Sequence, residues 1–162
     1  MIKEARDTPL VSDLPIKPRR KKMAASPFYI SEVVFGPDGY VVITNSSADP
    51  ADPAGLQLCQ FPSYPDVPGG SVAGGGTVQM PGADLGGLDA SSGELALYTS
   101  PEYENPDAVA GYVQWGETGH KREDPAVQAG VWEVGSFVDT SGSGRMAASG
   151  PETMTAAEWT VS

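Results

Sequence analysis

The stretch FYISEVVFGPDGYVVITN, residues 28–45, decides the fold class of this chain. Two runs rich in β-branched and aromatic residues, 28–35 and 40–45, flank a turn that contains Pro37 and Gly39. Proline suits the first central position of a β-turn because its ring fixes φ at about −65°, and glycine tolerates a positive φ. The stretch therefore predicts a β-hairpin.

Further short runs of the same kind follow, separated by turn residues. They predict strands at residues 56–59, 77–80, 94–99, 110–115 and 131–134, with 136–138 continuing the last one. With the hairpin they make about seven strands, the number typical of an immunoglobulin-like β-sandwich, so we predict an all-β fold. Residues 151–159 predict a single helical turn beginning at Pro151.

Composition agrees with one small domain that is poor in helix. The chain has 162 residues, of which 20 are Gly and 15 are Pro, and 40% are hydrophobic, enough for one core. A single cysteine, Cys59, excludes an internal disulfide, and a single histidine, His120, excludes a His-rich metal site. No apolar run has the length of a membrane span or of a Sec signal, so we expect neither, and we expect no cofactor.

Charge divides the chain into two parts. Residues 1–27 carry seven Lys and Arg against three Asp and Glu, a net charge of +4, whereas residues 28–162 carry three against eighteen, a net charge of −15, and together these give −11. The first part holds four prolines and no sustained apolar periodicity, so we predict an extended basic arm, 1–27, joined to a sandwich domain, 28–162, with a loop-rich C-terminal tail. The predicted partner-binding residues of the arm are Lys17, Arg19, Arg20, Lys21 and Lys22.

The chemistry of this basic cluster favours a protein partner. No aromatic residues are interleaved with it, and a domain of charge −15 repels the phosphates that the cluster would attract. We therefore expect the arm to bind acidic protein subunits of a larger assembly, and expect neither direct nucleic-acid binding nor membrane binding.

Several segments, taken in order, resemble a bacterial lamin-tail-type domain, which is an immunoglobulin-like β-sandwich. The matching segments are 30–33, 40–46, 52–59, 75–78, 93–98 and 112–116. The chain departs from the family at Leu56, where many members carry Trp. A second departure is that we expect no signal peptide, which many bacterial relatives have. The resemblance implies a binding or structural module with no catalytic residues.

Catalytic alternatives receive less support from the sequence. His120 has Glu123 and Asp124 nearby, as a Ser-His-Asp hydrolase would need, but no Gly-x-Ser-x-Gly elbow exists, so His120 is predicted to be a surface residue. Cys59 lies among apolar residues and is predicted to be a buried, unreactive thiol. Trp115 is predicted to belong to the core, as is Trp132.

Three loop motifs also allow simpler interpretations. The Gly-rich stretch 69–76 lacks the Gly-Lys-Ser/Thr ending of a phosphate-binding loop and is predicted to be an inter-strand loop. The residues Asn45-Ser46-Ser47 match a glycosylation pattern but are predicted to form a turn. Two acidic pairs leave a Ca²⁺ site open as an alternative, although their spacing fits no EF-hand: Asp49 with Asp52, and Asp84 with Asp89.

These observations predict a non-enzymatic assembly protein. In its most concrete form it is a capsid decoration, or cement, protein of a tailed bacteriophage, present on the virion surface as a homo-oligomer or symmetric array. Such a protein needs no export signal because virions assemble in the host cytoplasm. The alternatives are a cell-surface or secreted lamin-tail-type binding module of a bacterium and, less well supported, a small hydrolase centred on His120.

Overall fold

A computed structural model describes residues 26–162, which form eight strands and one short α-helix. The strands are β1 (Phe28–Val34), β2 (Tyr40–Asn45), β3 (Gln57–Cys59), β4 (Thr77–Pro81), β5 (Gly93–Tyr98), β6 (Val109–Trp115), β7 (Arg145–Ala148) and β8 (Trp159–Val161). The helix, α1, spans Glu123–Gln128. Short 3-10 turns cover Gly82–Leu85, Pro106–Ala108 and Ala156–Glu158.

The strands form two antiparallel sheets, one with the order β4-β2-β1-β7-β8 and one with the order β3-β5-β6. This arrangement confirms the all-β sandwich, whereas its immunoglobulin-like character stays a prediction. The hairpin is confirmed as well. Val33 lies opposite Val41, and the Gly39 amide donates to the Gly36 carbonyl oxygen across the turn at 2.9 Å.

The core lies between the sheets, where apolar side chains are buried away from water. Successive side chains of a strand point to opposite faces, and accordingly β2 alternates between half-buried residues and the fully buried Val41 and Ile43. Five consecutive residues of β5 are buried, because β5 is the middle strand of its sheet and both of its faces are covered. Trp115 and Trp132 are buried, as predicted.

The prediction of a strand at residues 131–134, continued at 136–138, is wrong. Val131 and Trp132 lie in the loop after α1, and only Val138 makes an isolated parallel bridge, to β6. Both Val131 and Trp132 are buried, so their apolar character reflects packing of a loop against the sheet. The glycines at 130 and 135 have φ of 79° and 82°, left-handed conformations that interrupt an extended chain.

The end of the chain also differs from the prediction. Instead of a helical turn over 151–159, only Ala156–Glu158 form a 3-10 turn, after which the chain enters β8. The sequence analysis missed both β7 and β8. The sequence of β7, RMAA, has little strand preference, and it pairs because β1 offers an edge where Met146, opposite Val33, becomes completely buried.

Candidate functional site

The five predicted partner-binding residues lie outside the described part of the chain; they are Lys17, Arg19, Arg20, Lys21 and Lys22. The structure does describe the end of the sandwich at which β1 begins. There β2 ends and β4 begins, because Phe28 pairs with Asn45 and Thr44 with Thr77. We call this region the arm end.

Asn45 holds the loops of the arm end together. It is completely buried, and its Nδ2 donates to the carbonyl oxygens of Asp49 (2.9 Å) and Val72 (3.0 Å). Its Oδ1 accepts from the Ser47 amide at 3.0 Å. The Asn45-Ser46-Ser47 pattern therefore forms a turn, as predicted. The side-chain amide of Asn45 makes its hydrogen bonds within the domain.

Two carboxylates, Asp49 and Asp52, are exposed in the loop that follows β2. Asp52 Oδ1 accepts from the amides of Gly70 and Ala54, both at 2.9 Å, and these hydrogen bonds lower the pKa of Asp52. Within residues 26–162, no three His, Cys, Asp or Glu side chains are grouped so as to hold a metal ion. The Ca²⁺ alternative thus gains no geometric support, and Asp52 serves to shape its loop.

Two of the sheet edges are covered by loops. On β3, the Leu58 amide donates to the Pro65 carbonyl oxygen at 3.0 Å. On β6, the Val138 amide donates to the Gln114 carbonyl oxygen at 2.9 Å. Both loops therefore satisfy backbone groups that an edge strand would otherwise leave open.

The outer edge of β4 is different. Toward β2, the Asn45 amide donates to Gly76 and the Gly82 amide to Gly39, so the even-numbered residues of this ladder face β2. Thr77 and Gln79 consequently direct their backbone N–H and C=O groups away from the sheet. No described residue pairs with those groups.

A buried polar cluster covers the outer face of β5 and β6. The Tyr112 hydroxyl oxygen lies 2.8 Å from Glu94 Oε1 and 3.0 Å from Gln114 Oε1. The Gln114 Nε2 donates to the Ser136 carbonyl oxygen, which fixes the orientation of that amide. The Tyr112 hydroxyl donates to Glu94 Oε1, and the same oxygen accepts from the Arg122 amide at 2.9 Å.

Burial raises the pKa of Glu94, while the Arg122 amide and the Tyr112 hydroxyl oppose this rise by hydrogen bonding. Burial is therefore the larger effect on this carboxyl group. Glu94 bridges β5 to β6 and to the chain just before α1.

The pKa of Glu123, at the start of α1, is shifted in the opposite direction. Glu123 accepts from the amides of Gly119 (2.6 Å) and Gly135 (2.8 Å) and from the Thr118 hydroxyl (2.9 Å). Burial raises its pKa, but these hydrogen bonds together lower it below the usual value. The carboxylate thus links the chain before α1, at Gly119, to the chain after it, at Gly135.

His120 is not the surface residue predicted. It is half-buried, and its Nε2 atom is buried without a hydrogen-bond partner in the described part of the chain. The error arose because the neighbouring charges suggested a solvated loop. Arg122, two residues later, is itself buried and draws this segment against the sheet.

Arg122 is surrounded by aromatic rings. Its guanidinium carbon lies 5.4 Å from the Phe61 ring, 5.7 Å from Tyr64 and 5.5 Å from Tyr103. Its Nη1 donates to Glu104 at 2.6 Å. Cation–π contacts and an ion pair thus compensate the loss of hydration, and the cluster stabilises the loop between β6 and β7.

The predicted burial of Cys59 is confirmed. It is completely buried, and burial raises the pKa of its thiol to about 12. A thiol of this kind stays protonated and unreactive near neutral pH.

A cleft of 530 Å³ lies at the other end of the sandwich, and four of its ten lining residues are glycine. Phe35 and Leu88 supply its apolar walls. The ionisable side chain among its described lining residues is Asp89, whose Oδ1 accepts from the Ser91 amide and hydroxyl, both at 2.8 Å. Its carboxylate is thus engaged in a local turn.

Taken together, the ionisable groups of the cluster hold strands and loops together. Within residues 26–162, no helix has the length and apolar character needed to cross a membrane. Comparisons with protein-family models, curated proteins and solved structures find no match to this chain. The roles of Glu94, Arg122 and Glu123 were not predicted. The sequence signal for Glu94 was its place within an apolar strand, whereas Arg122 and Glu123 lie in a polar stretch that gave no such signal.

Proposed function

We propose that this protein is a non-enzymatic assembly protein whose acidic sandwich is attached to a larger particle through its basic N-terminal arm. The most concrete form of the proposal is a capsid decoration protein of a tailed bacteriophage. It would bind capsid subunits, be arranged as a homo-oligomer or symmetric array, and reside on the virion surface after assembly in the host cytoplasm.

The division of charge carries this proposal. Residues 28–162 hold only three cations, and each is used inside the domain. Arg122 pairs with Glu104 at 2.6 Å, Arg145 pairs with Glu32 at 2.7 Å, and Lys121 lies over the Phe61 ring at 5.3 Å. Most of the positive charge available to an acidic partner surface therefore belongs to the arm.

The buried polar cluster supports a structural role. Glu94, Gln114 and Glu123 each contact groups of the same domain, and these contacts fix the loops of the three-stranded sheet. A scaffold of this kind holds its surface in one arrangement, which favours repeated, identical contacts on a particle.

The resemblance to lamin-tail-type domains favours the second candidate, a bacterial cell-surface or secreted binding module. Under this alternative, binding would use a loop at one end of the sandwich. The loop before Val138 exposes two apolar side chains, Val134 (70% exposed) and Phe137 (40% exposed).

The test uses tailed-phage particles prepared without this protein, mixed with the full-length chain and sedimented through a density gradient. Wild-type protein is expected to cosediment at low salt and to be released at high salt. A variant with Arg19, Arg20, Lys21 and Lys22 changed to Gln is expected to bind about tenfold more weakly or worse.

A variant with Lys3 and Arg6 changed to Gln is the control, because it removes arm charge outside the cluster. Equal cosedimentation of wild type and the cluster variant would overturn the arm mechanism. Absence of the wild-type chain from the particle fraction, with binding to bacterial envelopes instead, would favour the second candidate.

A further inference from the structure

The outer edge of β4 lacks the features that normally prevent strand pairing. Edge strands are usually covered, very short or charged. The sequence of β4, TVQMP, contains no charge, and only Pro81 at its end lacks an N–H. Thr77 and Gln79 therefore present a short row of open donors and acceptors.

We propose that residues 10–14 of the chain's own arm, LVSDL, add to this edge as a sixth strand of the larger sheet. This run is bounded by Pro9 and Pro15 and combines β-branched and apolar residues with polar ones. The inference deepens the proposed function, since it states how the arm that carries the basic cluster is held.

The two prolines select the register. Strand addition needs an N–H donor opposite both Gln79 and Thr77. Antiparallel pairing of Val11 with Gln79 and of Asp13 with Thr77 provides both donors. A shift by two residues in either direction would set a proline, which has no N–H, opposite one of these positions.

The same register places apolar side chains toward the core. Ser12 then lies opposite Val78, which is half-buried, and Leu10 lies opposite Met80, which is buried. Leu10 and Leu14 share that face and cover the side of β4 next to the core. A shift by one residue would turn both leucines to the solvent face.

The point at which the arm joins the sandwich allows this addition within one chain. β1 and β4 both begin at the arm end, two strands apart. From a strand beside β4 to β1 is about 14 Å at three strand spacings. Residues 15–27 can span up to about 43 Å, so the arm can descend along β4, cross the arm end and enter β1.

Charge also favours this path. The crossing segment would carry Lys17, Arg19, Arg20, Lys21 and Lys22 past the exposed carboxylates of the arm end, Asp49 and Asp52. Tethering adds to this attraction, because an attached segment acts at an effective concentration on the order of millimolar. The basic cluster would then be displayed as a closed loop at one end of the domain.

Cysteine pairing in the full-length chain tests the register. The variant S12C/V78C, exposed to oxidised glutathione, is expected to form a disulfide within one chain, because residues paired in this way lie within disulfide reach. The control is S12C/T77C, in which the side chain at 77 points to the opposite face. We expect linkage about tenfold faster in the first variant, measured by peptide mass spectrometry and non-reducing gels.

Hydrogen exchange provides a second readout. The Thr77 and Gln79 amides are expected to exchange at least about tenfold faster in V11P than in A5P, which adds a proline elsewhere in the arm. Circular dichroism and thermal melts check that every variant folds. A disulfide joining two chains would overturn the proposal in favour of a second copy's arm.

Equal linkage in both cysteine variants, together with equal exchange in V11P and A5P, would also overturn it. The particle-binding test is read separately, through the basic cluster. If strand addition fails, the particle-binding test can still succeed or fail by itself. The failure of one proposal can therefore be told from the failure of the other.

Discussion

Single residues in the polar cluster respond to pH in opposite directions. Because burial raises the pKa of Glu94, the folded state binds its proton more tightly than the unfolded chain does. That stabilisation is present at low pH and is lost as pH rises through the raised pKa. Glu123 has a lowered pKa despite its burial, so its stabilisation is lost as pH falls through the lowered value.

The change E94Q tests the first of these effects. Gln keeps an acceptor for the Tyr112 hydroxyl but cannot ionise, so the variant is expected to lose less stability than wild type as pH rises above about 4.5, the range in which free Glu ionises. Chemical denaturation midpoints at a series of pH values measure this. The control is E117Q, at an exposed position. Parallel pH profiles for E94Q and wild type would contradict the assignment.

Glu123 is expected to contribute more to stability than its exposed neighbour. E123A leaves the amides of Gly119 and Gly135 without their acceptor, and loss of charge-assisted hydrogen bonds at a buried site is expected to cost about 2–4 kcal/mol. D124A, on the same helical turn but exposed, is the matched control, with an expected change within about 0.5 kcal/mol. Urea unfolding of both variants checks the difference, and similar midpoints would contradict it.

Among the secondary-structure elements, β8 shows how a very short strand can matter. Trp159 is buried, whereas Thr160 beside it is exposed. W159A is expected to destabilise the fold by about 3–5 kcal/mol through lost packing. T160A keeps the backbone pairing with β7 and is expected to change stability by less than about 0.5 kcal/mol. Thermal melts compare them, and a mild W159A effect would show that β8 frays without consequence.

The accuracy of sequence-based prediction varies among these elements for physical reasons. The β1–β2 hairpin was predictable because its turn and its alternating burial are local features. β7 was not, since Arg145–Ala148 becomes a strand only through pairing with the distant β1. Val131 and Trp132 misled the prediction because burial beneath a loop and burial in a strand select the same apolar residues.

The candidate site follows the same division between local and long-range information. The burial of Cys59 could be predicted from apolar neighbours. Arg122 could not, because its aromatic surroundings come from Phe61, Tyr64 and Tyr103, which are distant in sequence. Long-range assembly of this kind also explains why the charges next to His120 gave a wrong expectation of exposure.

For the molecule as a whole, electrostatic repulsion is expected to limit stability. The domain has a net charge of −15, and the ion pairs described in residues 26–162 occupy only Arg122 and Arg145. Like charges at this density destabilise the compact state, and salt screens them over about 10 Å at 0.1 M. The Tm of the full-length chain is therefore expected to rise with added sodium chloride.

Neutralising the basic cluster should strengthen this salt dependence. Changing Arg19, Arg20, Lys21 and Lys22 to Gln moves the net charge from −11 to −15 and removes the cations nearest the domain in sequence. The variant is expected to melt lower than wild type at low salt and to approach it at high salt, because screening removes the difference. Replacing the same number of uncharged arm residues by Gln is the control. If the Tm of wild type fell with salt, attraction rather than repulsion would dominate the domain's electrostatics.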